Sequence, residues 1–336
     1  MVYSEIILKT AAIAMAVILS ACSGEGAAVN AEKDAVNEKS MASISQPSSI
    51  EINHAVKAPA QVQAMPVRTI VRTTKADGKT FNSNSAAAVD SSNISQGYVM
   101  VKYTGDNHKV KLQITGPNKV TYTYNLKKGD YEAFPLTSGD GSYTVNVFEN
   151  VKGTTYAQAY GTTVNVTLQD PLLPFLHPSQ YVNYTAETET VAKGAELAAG
   201  AANELEIVER VFNYVSGNIS YDYDKAATVQ SGYLPSVDQI LNIKKGICFD
   251  YSAVMATMLR TQNIPTRLEV GYVSDGTYHA WISVYIKDKG WINGIIQFDG
   301  NKWKRMDPTF ISQSKGSEEM YDFIADEKNY TVKYMY

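Results

Sequence analysis

The sequence predicts two folded parts in one chain, an antiparallel all-β sandwich followed by an α+β domain, and three observations carry that expectation. Between Tyr98 and Leu168 apolar residues recur at every second position. Prolines then interrupt the chain between Asp170 and Pro178. Beyond them the period turns helical and afterwards reverts to consecutive strands. A length of 336 residues has room for two domains, and an apolar share of 44% is that of a globular chain.

The sandwich, placed at residues 94–170, rests on five alternating runs: YVMVKY from Tyr98, KVKLQI from Lys109, KVTYTY from Lys119, GSYTVNV from Gly141 and TTVNVTL from Thr162. Turn clusters separate them, such as Thr104-Gly105-Asp106-Asn107 and Ser138-Gly139-Asp140-Gly141. The Gly141-Ser142-Tyr143-Thr144-Val145 stretch resembles a late strand of immunoglobulin-like or fibronectin-type domains. The expected role of this part is that of an accessory module.

The second domain, residues 171–336, opens at Asp170-Pro171, Leu173-Pro174 and His177-Pro178, because each proline turns its predecessor away from helix. Asn203 and Glu206 make a capping-box pattern ahead of a helix whose Leu205, Val208, Phe212 and Val215 share a face. Ser236 and Gln239 repeat the signal. A third helix opens near Cys248, carries Tyr251, Met255, Met258 and Leu259 as an apolar stripe, and stops at Asn263-Ile264-Pro265. After Pro265 come strands reading TRLEVGYV, YHAWISVYI and WINGIIQFD, then a turn at Asp299-Gly300-Asn301 and a last run, KWKRMD.

Ahead of both parts lies a delivery segment. Thr10 to Leu19 is an apolar run too short to span a bilayer but suited to a signal-peptide core, and it runs into Leu19-Ser20-Ala21-Cys22. This tetrad resembles a bacterial lipobox, which implies a signal peptide over residues 1–21 and lipid attachment at Cys22. Residues 22–93, rich in Ala, Ser and Asn without a sustained period, read as a disordered tether. The expected location is the extracytoplasmic face of a bacterial membrane or the cell surface. With 30 basic against 34 acidic side chains there is no cationic footprint for nucleic acid.

The scarce reactive residues define the candidate chemistry. The chain has 2 cysteines and 4 histidines, too few for a disulfide scaffold or a Cys/His zinc site, and no metal or cofactor is expected. If Cys22 carries lipid, Cys248 is the cysteine left for the folded protein. At a helix start, free N–H groups and the positive dipole end favour thiolate over thiol and can also hold an oxyanion. A free cysteine is often simply a small buried apolar group, so the assignment depends on a base and an orienting group nearby. His54 lies in the tether, His108 in a turn and His177 between prolines. His279 alone falls in the strand core of the second domain, on the face of Trp281 and opposite Ala280, Ile282, Val284 and Ile286. Asp307, ending a strand before Pro308, completes a possible nucleophile, base and orienter set.

These residues sit in a longer pattern: Gly246-Ile247-Cys248-Phe249-Asp250-Tyr251-Ser252-Ala253, Leu259-Arg260, Asn263-Ile264-Pro265-Thr266-Arg267, Val270-Gly271-Tyr272, His279-Ala280-Trp281 and Met306-Asp307-Pro308-Thr309. In that order they resemble the transglutaminase-like superfamily, with its papain-like arrangement of a helix-borne cysteine and strand-borne histidine and aspartate. The resemblance implies Cys248 as nucleophile, His279 as general base and acid, and Asp307 as the residue orienting the imidazole. It implies attack on a protein or peptide amide, with the thioester passed to an amine or to water. Eukaryotic members place a tryptophan upstream of the cysteine as an oxyanion donor, whereas Trp281, Trp291 and Trp303 all lie downstream here. The Cys248 N–H and the hydroxyls of Tyr221 or Tyr223 remain as oxyanion candidates. No carboxylate run for calcium is seen. The alternatives are a cysteine peptidase or amidase of cell-wall or surface peptides, and a non-catalytic binding or scaffolding protein.

Overall fold

Alternation in the β segment becomes two four-stranded antiparallel sheets in the computed structural model, which describes residues 69–292, 295–298, 303–306, 308–309, 312 and 326–336. The first sheet orders β1 (Phe81–Ser83), β2 (Ala87–Asp90), β3 (Tyr98–Tyr103) and β6 (Glu132–Pro135) side by side. The second runs β5 (Thr121–Leu126), β4 (Val110–Thr115), β7 (Gly141–Lys152), β8 (Thr155–Val166). Along β4 and β5 every second residue is buried: Val110, Leu112 and Ile114, then Tyr122, Tyr124 and Leu126. They share a core with Ala87, Val89, Val99 and Val101 of the first sheet, each Val, Leu or Ile side chain contributing about 1.5–3 kcal/mol by leaving water. The Tyr143 hydroxyl, at the start of β7, donates to the Gly139 carbonyl at 2.8 Å and pins the preceding turn.

Two expectations are corrected here. The tether does not extend to Asn93, because β1 and β2 belong to the first sheet and Ala87 and Val89 are fully buried. Upstream of them the chain already meets the second half of the molecule: the Ile70 N–H donates to the Thr261 carbonyl at 2.7 Å. The rest of the proposed tether, the signal peptide, Cys22 and His54 lie outside the described residues. The run WINGIIQFD is not one strand; it supplies β13 (Gly290–Ile292) and β14 (Ile295–Phe298), which pair with different partners.

The α+β part is built around one helix. α1 (Glu189–Ala198), α2 (Glu204–Asn218) and α4 (Val237–Ile243) pack on one side of α5 (Cys248–Arg260). On its other side lie β11 (Thr266–Val273) and β12 (Tyr278–Ile286), inside the antiparallel sheet ordered β13, β12, β11, β16 (Tyr330–Met335). Short elements complete this half: β9 (Ser220–Tyr221) pairs in parallel with β10 (Lys245–Gly246), α3 spans Tyr223–Thr228, and β14 pairs with β15 (Trp303–Met306). Asn203 caps α2 as expected, accepting from the Glu206 N–H at 3.1 Å. Ser236 precedes α4 without a side-chain cap bond, so that helix start relies on packing of Val237 and Ile240. Gly194 lets α1 approach α5 closely, since a Cβ there would stand 3.0 Å from the Met258 Cα.

The proline-rich junction is packed: Pro174, Phe175, Leu176 and His177 are buried. Next to it a tyrosine cluster spans both halves, with ring centroids 5.6 Å apart for Tyr124 and Tyr181 and 4.8 Å for Tyr181 and Tyr336. Tyr181 also meets Phe249 at 5.2 Å, edge to face. Tyr181 thus links Tyr124 of the β segment to the residue that follows Cys248.

Candidate active site

Cys248 is the first residue of α5, 4% exposed, and a free cysteine. Its position is set by the two residues before it. Gly246, in β10, runs beside Tyr221 of β9, and the Asp222 N–H donates to the Gly246 carbonyl at 2.9 Å. A Cβ on Gly246 would stand 2.8 Å from the Asp250 Cβ, so the glycine makes room for Asp250 to fold back over the helix start. Asp250 Oδ2 then accepts from the Ile247 N–H at 2.9 Å. That bond satisfies an otherwise orphaned donor and fixes the first turn that presents the sulfur.

The Asp250 carboxylate is fully buried and held from three sides. Besides Ile247 it takes Lys225 Nζ at 2.5 Å on Oδ2 and the Tyr233 hydroxyl at 2.7 Å on Oδ1. Lys225 Nζ also lies 2.6 Å from the Tyr233 oxygen and 4.2 Å from the centre of its ring. Burial, then the bond to Asp250, pushes the Tyr233 hydroxyl far above the usual phenol range. Further along the helix the Tyr251 hydroxyl donates to the Ile219 carbonyl at 2.5 Å, tying α5 to the residue before β9.

Two tyrosines stand within electrostatic reach of the Cys248 sulfur. Burial raises the hydroxyl of Tyr221, and the charge of Cys248 adds to the rise. Tyr278 is raised by burial first, then by Tyr334, Tyr272, Tyr181 and Cys248. Tyr223, the other oxyanion candidate, opens α3, is 56% exposed and packs edge to face on Tyr221 at 5.0 Å. Tyr221 is therefore the better placed of the two.

His279 is buried in β12, next to Tyr278, and the alternation expected for that strand holds. Ala280, Ile282, Val284 and Ile286 enter the apolar core, while the His279 ring lies 6.1 Å from the Trp281 ring, nearly parallel to it. Trp281 is fixed from behind, its indole N–H donating to Glu269 Oε2 at 2.7 Å, where the Ser283 hydroxyl also donates at 2.8 Å. Packing of α5 on β12 brings together the two elements that carry Cys248 and His279. Asp307 lies outside the described residues.

The other two described histidines stand apart from this site. His108 is exposed in a turn. His177 is buried, its ring 5.0 Å from that of Tyr98, and burial with the charges of Arg72 and Arg260 lowers it to about 4. Sequence reasoning missed Lys225, Tyr233 and Tyr278. Tyr278 was signalled by its place beside His279. Lys225 and Tyr233 had no local signal, since both reach Asp250 across a loop.

Residues 191–294 match the family model of the transglutaminase-like superfamily core. A UPF0252 protein of Methanocaldococcus jannaschii is 31% identical over 90 residues, covering 24% of this chain and 26% of its own. The protein YebA of Bacillus subtilis is 27% identical over 108 residues, or 27% of this chain and 15% of its own. The chain thus spans about a quarter or less of these curated relatives. Among solved structures, a candidate cysteine protease from Cytophaga hutchinsonii is similar at 18% identity and a TM-score of 0.32, covering 63% of this chain and 66% of that one. The red sea bream transglutaminase is similar at 13% identity and a TM-score of 0.30, covering 68% and 54%.

Proposed function

With residues 191–294 forming a transglutaminase-like domain, we propose that the protein is a thiol acyl enzyme acting on a protein or peptide amide. The observation that carries the proposal is the start of α5: one free cysteine, presented by a glycine turn and a capped first turn, beside Tyr221 and against the strand of His279.

On this reading His279 takes the thiol proton and Cys248 Sγ bonds to the amide carbon. The C–N bond breaks, and the departing ammonia or amine leaves with the proton from His279. Asp307 is assigned the orienting role by its motif. A primary amine then attacks the thioester, the S–C bond breaks, and the amine's proton returns through His279 to the sulfur. Water in place of the amine gives hydrolysis. Backbone N–H at the helix start and the Tyr221 hydroxyl are the oxyanion donors this geometry offers.

The β segment is read as an immunoglobulin-like accessory module. Its two antiparallel sheets and the bond from Tyr143 back to Gly139, of the kind that pins a sandwich corner, support that reading. Lipid attachment at Cys22 would hold the enzyme on the extracytoplasmic side, facing surface proteins or cell-wall peptides. Mass spectrometry of the mature N-terminus checks the anchor; an unmodified peptide starting elsewhere refutes it.

The test of function incubates the protein with a glutamine-containing protein and a labelled primary amine, alongside Cys248→Ala. Label incorporated by the wild type and lost completely in the variant is the expected result. New peptide termini that depend on Cys248 would keep the acyl enzyme and assign its second step to water. The absence of any Cys248-dependent product across protein and cell-wall peptide substrates would favour the scaffolding reading.

A further inference from the structure

Resting on the reading of Cys248 as nucleophile, we propose that Lys225 and Tyr233 are positioning residues that act on the thiol through Asp250. They hold the carboxylate that caps the helix start and cancel its charge.

The geometry is a closed circuit. Asp222 caps α3 by accepting from the Lys225 N–H at 3.0 Å, while its own N–H bonds to the Gly246 carbonyl. Lys225 reaches from α3 to Asp250, and Asp250 returns to the Ile247 N–H, one residue before the sulfur. Tyr233, from the loop between α3 and α4, closes the other carboxylate oxygen. The first turn of α5 is thereby tied to β10, to α3 and to that loop.

The same arrangement solves an electrostatic problem. A carboxylate in the first turn is a good cap, but a bare one buried two residues from a thiolate opposes the charge that the helix start favours. Lys225, whose side chain is only 23% exposed, converts that carboxylate into a neutral pair. Tyr221 from β9 and Tyr278 from β12 also interact with the sulfur; His279 follows Tyr278 in β12, and Tyr251 lies within α5 three residues after the cysteine. Burial raises all three of these tyrosines above their usual range, so they stay neutral around pH 7. Among the described residues, the other ionisable groups beside this helix start are His279, the Lys225–Asp250 pair and, from β10, Lys245 on Asp222 and Asp224.

The test measures the rate of Cys248 alkylation by iodoacetamide between pH 5 and pH 10, with folding checked by thermal melting. Lys225→Met leaves the carboxylate bare and should move the profile to higher pH by about one unit, a rate about tenfold lower at neutral pH. Asp250→Asn keeps an acceptor for the Ile247 N–H, removes the negative charge and should move the profile the opposite way. Lys225→Arg should restore the wild-type profile, and Tyr233→Phe should give a smaller shift in the direction of Lys225→Met. The same pair of variants in a His279→Ala background separates the two sources of charge.

Opposite shifts for Lys225→Met and Asp250→Asn support the inference, because a merely structural role would lower the melting temperature without changing sign. Unshifted profiles in folded Lys225→Met and Tyr233→Phe overturn it. If Lys225→Met does not fold, Tyr233→Phe and Asp250→Asn decide by the same signs. A wild-type profile like that of an ordinary thiol would undercut the nucleophile reading instead, and the signs of the variant shifts would still decide the role of Lys225.

Discussion

The two ends of α5 each carry a buried ionic side chain, and they solve that burial in different ways. At the start, Asp250 is held by another ionic side chain, a phenol and one backbone N–H. At the end, Arg260 is fully buried and makes four hydrogen bonds to main-chain carbonyls alone: two to Thr266, one to His177 and one to Tyr336. Burial lowers Arg260 only to about 10, so it stays charged at neutral pH. A charge met by carbonyls ties strands and loops together and has no route to the sulfur some twelve residues away, about 18 Å along the helix axis. A charge met by titratable side chains one turn from the sulfur can tune it. The contrast separates a tie that holds the fold from a pair placed to tune the proposed nucleophile.

The largest expected effect on stability comes at the Arg260 end. Arg260→Met fills similar volume but leaves the Thr266 and His177 carbonyls without their donor, while the Tyr336 carbonyl keeps the Leu268 N–H at 2.9 Å. Two buried acceptors stripped in this way cost about 2–5 kcal/mol. Urea unfolding should show that loss, while the alkylation profile of Cys248 in the folded variant matches the wild type. A change in that profile would break the division between the two ends.

His177 sharpens the same division through pH. Its folded state resists protonation down to about 4, whereas the unfolded chain takes up a proton below about 6.5. Above 6.5 the residue contributes nothing to the pH dependence; between 6.5 and 4 stability falls, by on the order of 3 kcal/mol at the lower limit. Phenylalanine keeps a ring against Tyr98 and cannot titrate. Unfolding free energies of wild type and His177→Phe, measured at pH 4.5 and pH 7.5, should therefore diverge only at the acid end, by about 2.5 kcal/mol. Equal slopes would remove His177 from the account.

Back at the Cys248 end, Gly246→Ala places a methyl 2.8 Å from the Asp250 Cβ, an atom too close to the backbone to swing aside. Overpacking of this kind costs about 1–3 kcal/mol. Because the displaced residue is the cap, this variant should also alter alkylation of Cys248, which Arg260→Met should not. Melting and alkylation measured together on the two variants make the comparison direct.

The contrast also explains what was readable in the sequence. Local rules were enough for β11 and β12, whose bounds match the runs TRLEVGYV and YHAWISVYI, and for the α2 cap at Asn203. Cys248 at a helix start and His279 on the Trp281 face follow from the same short-range periodicities. The remainder depended on contacts distant in sequence. Lys225 and Asp250 are 25 residues apart, and Arg260 and His177 are 83 apart. Nothing in the spacing of either pair marks it. Ala87 to Asp90 read as tether because a four-residue strand is too short to show a period, and only its pairing with β3 buries it.

The smallest expected effect tests whether every tie at the start of α5 matters equally. Tyr251→Phe removes a hydroxyl that donates to the Ile219 carbonyl at 2.5 Å, but that carbonyl also accepts from the Ser312 hydroxyl at 3.1 Å. The acceptor is not orphaned and the ring still fills its place, so the loss should be about 1 kcal/mol. Tyr251 carries no charge at neutral pH and does not touch the Asp250 cap in the way Lys225 and Tyr233 do. Its removal should leave the alkylation profile in place while lowering the melting temperature slightly. A profile shift as large as that of Lys225→Met would mean that anchoring of the helix, rather than cancellation of the Asp250 charge, governs the thiol.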